Sequence, residues 1–190
     1  KAETGYNLEL GAEYEHSNWT IKGNAFLQKL QGEISYDFHQ NLNVNLADTK
    51  RLGAEFDLSY ETEAWQASLH YTRLDASFSD GPYRGRQIFL VPETELSAVV
   101  SVRPHEDFTV QAEYQYAGSS FGGNDFDNLE KKLPSYGIVN LLLRYEPRPD
   151  LTLYARVNNL LDEHYATIKY SGVFYPAAGR TFHLGVRYEF

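Results

Sequence analysis

The residues able to carry chemistry are few and scattered. Histidines stand at His16, His39, His70, His105, His164 and His183, and no two have the separation that would place a metal-ligand pair on one strand. With no cysteine in the chain, disulfides and thiolate metal sites are excluded. His105, Glu106 and Asp107 bring an imidazole and two carboxylates together, but between two runs of alternating polarity such a cluster reads as a solvated tight turn. GSSFGG at 118–123 has the glycines of a phosphate cradle without a following helix to hold the anion. Asp125 and Asp127 in NDFDN are spaced like two calcium ligands, without the further oxygen ligands of a full loop motif. No nucleophile and base fall into a catalytic pattern, so neither an enzyme nor a bound cofactor or metal is expected.

Binding groups are better represented. GPYRGRQIF (81–89) offers Tyr83, Arg84 and Arg86, and IKYSGVFYP (168–176) offers Lys169, Tyr170, Phe174 and Tyr175. Cationic and aromatic side chains in such loops suit an anionic, aromatic chelate. A second set, Arg144, Arg156, Asn158, His183, Arg187 and Glu189, falls on the polar side of three neighbouring strand patterns. These residues are expected to pair across strands or to hold a domain seated against that face. The chain carries 26 acidic and 17 basic side chains, a net of −9, so nucleic acid is not an expected partner.

The elements that position these groups are strands. In FTVQAEYQY, Phe108, Val110, Ala112, Tyr114 and Tyr116 share one face, while Thr109, Gln111, Glu113 and Gln115 share the other. LTLYARVN and LGAEFDLSY repeat the pattern. Turn signals divide the chain into about nine long strands, near 6–16, 19–36, 50–62, 65–79, 94–103, 108–118, 136–146, 151–161 and 180–190. Tight turns at 15–18, 61–64, 104–107 and 146–150 alternate with long loops at 37–49, 80–93, 119–135 and 162–179. An all-β, antiparallel up-and-down meander follows, with short turns on one rim and loops on the other.

A mean hydropathy of −0.50 and the lack of any apolar run of membrane-helix length leave helical spans out of consideration. Yet 15 Tyr, 11 Phe and 2 Trp make 15% aromatics, the supply that a transmembrane barrel places at its two interfaces. A soluble β-sandwich would also alternate, but its strands are usually shorter than these. The chain has no methionine, so Lys1 is expected to be a processed end or the edge of a larger protein.

The last third carries a resemblance. LPSYGIVNLLLRY, LTLYARVNNLLDEHY and GRTFHLGVRYEF resemble the closing strands of TonB-dependent outer-membrane receptors. The matching residues are Asn159, Leu160, Asp162 and Tyr165 of an N-L-x-D-x-x-Y turn, then Gly179, Arg180 and Phe182, and a terminal Phe190. KAETGYNLELGAEY and KRLGAEFDLSY are similar to earlier strands of the same barrels. Gly185, Tyr188 and Phe190 form G-x-x-aromatic-x-aromatic, which resembles the C-terminal signal read by the barrel-assembly machinery.

The resemblance implies that residues 1–190 are the C-terminal part of a transmembrane barrel in the bacterial outer membrane. A plug domain and earlier barrel strands would precede it, with a TonB-type energy-coupling protein, the assembly machinery and membrane lipid as partners. It further implies energised uptake of a scarce nutrient such as an iron–siderophore complex or cobalamin, with no bond chemistry. A small passive porin or adhesin barrel and a soluble binding sandwich are the alternatives.

Overall fold

The computed structural model describes residues 2–37 and 40–190; Lys1 and His39 lie outside the described residues. Every described element is a strand. They are β1 (Thr4–His16), β2 (Trp19–Gln31), β3 (Ile34–Asp37), β4 (Leu42–Asn45), β5 (Thr49–Glu61), β6 (Trp65–Phe78) and β7 (Thr94–His105). Then follow β8 (Phe108–Ala117), β9 (Tyr136–Arg148), β10 (Leu151–Asn158), β11 (Ala166–Tyr170), β12 (Val173–Pro176) and β13 (Thr181–Tyr188). Nine of them form one sheet in the order β1-β2-β5-β6-β7-β8-β9-β10-β13, each antiparallel to its neighbour.

Two differences from the expected strands have a backbone cause. The run 19–36 is broken at Gly32, whose φ of +66° is a left-handed conformation that turns the chain out of the sheet. Residues beyond it form the separate hairpin β3–β4. The loop 162–179 likewise contains its own hairpin, β11–β12. The last long strand ends at Tyr188 rather than Phe190, and beyond it the Glu189 amide still donates to the Asp150 carbonyl at 3.0 Å.

Register converts the alternation of each strand into two coherent faces. One row across the sheet reads Trp65, Val102, Val110, Leu143, Ala155 and Leu184. The row one residue along reads Gln66, Ser101, Gln111, Leu142, Arg156 and His183. The apolar face is left open, with Leu10 and Leu184 81% and 85% exposed. Among the described residues no second sheet covers it, which removes the β-sandwich reading. Aromatic rings bound this face next to the tight turns: Trp19 lies 4.6 Å from Tyr60, and Phe108 lies 6.4 Å from Tyr145.

The buried apolar cluster lies at the loop rim, on the polar side of the sheet. Ala76 and Phe78 sit opposite Arg51 and Thr49, and Leu46, Ile88 and Phe89 bury against them. Tyr83, Phe121 and Phe126 pack on this cluster. Loops 80–93 and 119–135 therefore fold inward over the end of the polar face, and apolar burial holds them there.

Candidate functional site

The N-L-x-D-x-x-Y turn proves to be a hydrogen-bonded clip at the neck of the last loop. Asn159 takes a φ of +51°, which Asn tolerates better than most residues. Its side chain is 2% exposed. The Asn159 carboxamide accepts from the Glu163 amide at 2.9 Å and donates to the carbonyls of Glu163 and Ala178 at 2.9 and 3.4 Å. Asp162 accepts from the Arg180 amide at 2.8 Å, closing the two ends of the loop on each other. That hydrogen bond, with the charge of Arg180, holds the Asp162 carboxyl below the usual aspartate range. Tyr165 then packs against Tyr136 with ring centroids 4.3 Å apart and the rings tilted by 33°.

The clip is continuous with the polar face. Asn140 of β9, 5% exposed, accepts from the Asn159 amide at 2.9 Å and donates to Glu113 at 3.3 Å. Glu113 in turn receives two hydrogen bonds from the Arg156 guanidinium, at 2.6 and 3.3 Å, and one from Gln111 at 2.8 Å. This ladder joins strands β8, β9 and β10 to the loop neck. Neither Glu113 nor Asn140 was singled out from the sequence. Within one strand each is an ordinary polar residue at an inward position, and only the register of three strands makes them a network.

Five of the six residues expected on the polar side lie on that face by register, and Glu189 follows Tyr188, the last paired residue. Arg144 is opposite Tyr154 and Thr109. Arg156 is opposite His183, and its Nε donates to Asn158 at 2.7 Å. Asn158 donates to Thr181 at 3.3 Å, the Thr181 hydroxyl lies 3.3 Å from the His183 imidazole, and Arg187 pairs with Glu189 at 2.6 Å. Gly185 also points to this side, where the Tyr154 ring lies over it. A Cβ there would come within 2.1 Å of that ring. Tyr188 and Phe190 meet edge to face at 5.1 Å, with Tyr188 on the apolar side. The terminal glycine and the aromatic at 188 thus serve opposite faces.

The loop residues separate into buried and offered groups. Tyr83 stacks on Phe126 at 5.0 Å and is part of the loop core. Arg84 and Arg86 are exposed at the tip of loop 80–93 and unpaired among the described residues. Lys169 is 3% exposed, and its ammonium donates to the Lys131 carbonyl at 2.7 Å and meets Glu130 at 2.8 Å. A buried ammonium with these partners is a tie between loops 119–135 and 162–179. Tyr170 lies against Gly123 and edge to face with Tyr175, while Phe174 and Tyr175 are 44% and 52% exposed.

Asp125 accepts from the amides of Leu129 and Glu130 at 2.9 and 3.1 Å, which makes it a turn cap. His105 receives the Asp107 amide at 3.4 Å within its tight turn. Among the described residues no three His, Asp or Glu side chains are gathered for a metal.

A protein-family model described as TonB dependent receptor-like, beta-barrel matches residues 1–160. The ferrienterobactin receptor of Escherichia coli is 25% identical over 183 residues, covering 86% of this chain and 24% of its own length. The vitamin B12 transporter BtuB of Vibrio cholerae is 27% identical over 176 residues, covering 90% of this chain and 27% of its own. The chain therefore spans about a quarter of the length of these curated relatives. The crystal structure of the siderophore receptor PiuA from Acinetobacter baumannii superposes with a TM-score of 0.81 at 24% identity, over 96% of this chain and 28% of that one. That likeness speaks for the fold alone.

Proposed function

Because the chain belongs to the TonB-dependent receptor-like β-barrel family, we propose that it is the C-terminal part of a bacterial outer-membrane receptor barrel for energised nutrient uptake. The cargo is a scarce nutrient of the iron–siderophore or cobalamin kind, the classes named for its relatives. The observation that carries this reading is the division of one wall into three zones. An open apolar face bounded by aromatic rings suits lipid. A hydrogen-bonded polar face suits a lumen. Inward-folded loops at one rim suit a mouth that meets cargo before a plug does.

The remaining partners follow from that architecture. Arg144, Arg187 and His183 lie on the lumen face, where a plug domain would rest against them. Such a plug would move when an energy-coupling protein of the TonB type pulls on the segment before it. Strand β13 has one edge unpaired among the described residues and ends at Tyr188, two residues before Phe190, a form that the barrel-assembly machinery can capture by strand addition. The loop arginines Arg84 and Arg86, with Tyr175, are offered to an anionic cargo.

Deletion of the gene should abolish high-affinity uptake of one such cargo, measured with radiolabelled iron chelates and cobalamin under starvation. Restoration should require both the whole gene and the proton-motive force. Uptake that persists when the force is collapsed would mean a passive pore and would sink the proposal.

A further inference from the structure

Between loops 119–135 and 162–179 lies a cleft of about 350 Å³ whose walls include Pro134, Tyr165, Phe174 and Pro176, with Glu163 and His164 also lining it. Two independent ties fix those walls. The Asn159 and Asp162 clip sets the backbone from Glu163 to Tyr165, and the tilted contact with Tyr136 holds the Tyr165 ring. The buried Lys169 ammonium binds the hairpin carrying Phe174 to the loop that ends in Pro134. The same ammonium lies 5.7 Å from the Phe174 ring centroid, yet that ring remains 44% exposed. An aromatic ring held on one side and open on the other, in a preformed and mainly apolar cleft, is built to receive a second flat group.

Resting on the uptake reading, we propose that this cleft binds a flat aromatic group of the cargo whose edge donates a hydrogen bond, as a phenol or an aryl amine does. The volume lies near the bottom of the range for small-molecule sites, so the cleft takes one ring system rather than a whole chelate. Glu163 supplies the matching chemistry. Its carboxylate accepts only, it is exposed, and among the described residues it is in no ion pair. A ring bearing its own carboxylate is repelled there, and a saturated ring of equal size loses the stacking against Phe174.

The test uses the whole receptor, purified in detergent, with phenol, benzoate and cyclohexanol as probes in a saturation-transfer NMR titration. Phenol should bind measurably, and cyclohexanol and benzoate at least about tenfold more weakly. Phe174→Ala, a change at an exposed ring, should weaken phenol about fivefold, the scale of one aromatic contact, while Phe174→Tyr should retain it. Equal binding of phenol and cyclohexanol, or phenol affinity indifferent to Phe174→Ala, overturns the proposal. The same variants are assayed for energised uptake in cells. Uptake with no ring-dependent phenol binding refutes the cleft alone. Ring-dependent binding in a protein that takes up nothing refutes the uptake reading and leaves the cleft standing.

Discussion

Placing one arginine on either face of β8 measures the facing of the whole wall. Ala112 and Gln111 are neighbours in sequence, but Ala112 lies in the apolar row with Val100 and Leu141, and Gln111 lies in the polar row with Ser101 and Leu142. Ala112 is midway between Phe108 and Tyr116, four residue steps from each. At about 3.3 Å per step that is about 13 Å along the strand, or about 10 Å along the membrane normal for a tilt near 40°. An arginine at Ala112 is therefore near the midplane of an apolar band about 25 Å tall, where it should cost about 2–4 kcal/mol.

That cost lowers the folded-to-unfolded ratio by a factor of about 30 to 700. Gln111→Arg enters a watery lumen, where its guanidinium can replace the Gln111 hydrogen bond to Glu113, and should change stability by less than about 1 kcal/mol. Leu153→Arg provides a depth control. Leu153 is opposite Tyr145 at the inner aromatic boundary, so its cost should fall to about 0–1 kcal/mol. Urea titrations of the whole receptor in lipid vesicles, with intrinsic fluorescence as the signal, measure all three. Equal costs at Ala112 and Gln111 would refute the assignment of faces, and a larger cost at Leu153 than at Ala112 would refute the placement in depth.

The loop neck should be similarly sensitive. Asn159→Ala leaves the Glu163 amide and the Glu163 and Ala178 carbonyls without their carboxamide partner and forces alanine to a φ of +51°. A loss of about 2–4 kcal/mol is expected from unpaired buried groups and left-handed strain together, and Asn159→Gly should recover only the strain, about 1 kcal/mol; thermal unfolding distinguishes the two. Gly185→Val must displace the Tyr154 ring, so it should lower the yield of assembled barrel, and adding Tyr154→Ala should restore it; a yield unaffected by either change would contradict the close approach.

Acid should loosen the loops. The Arg180 amide and charge depress the Asp162 pKa, and a Gln87 hydrogen bond with Arg73 and Lys132 nearby depresses that of Glu93. A carboxylate depressed in the folded state stabilises it above the unfolded pKa, near 4. That contribution is lost as pH falls through the lower folded value. Hydrogen exchange across residues 159–180, corrected for intrinsic rate, should rise below about pH 4. Asp162→Asn should show part of that rise already at neutral pH.

The face of every long strand was legible from residue order, because alternation has a period of two and each side chain's direction depends only on its own parity. The tight turns were equally plain, since Asn18, Glu63 and Pro149 stand in short polar interruptions between apolar runs. Even Arg156, Asn158 and His183 could be assigned to one side before any pairing was known. The strand break at Gly32 and the hairpins β3–β4 and β11–β12 were not visible, because strands of 4 or 5 residues inside loops alternate too briefly to register.

The network and the cleft belong to the tertiary structure alone. Glu113 meets Arg156 from 43 positions away, Asn140 meets Asn159 from 19, and Lys169 reaches the Lys131 carbonyl from 38. Lys169 shows the reason most sharply. In the chain it is one lysine in an exposed-looking loop; in the fold it is among the most buried polar residues. Parity along a strand says which way a side chain points, while its partner is settled only when the backbone ladder brings distant segments into register and apolar burial presses the loops together.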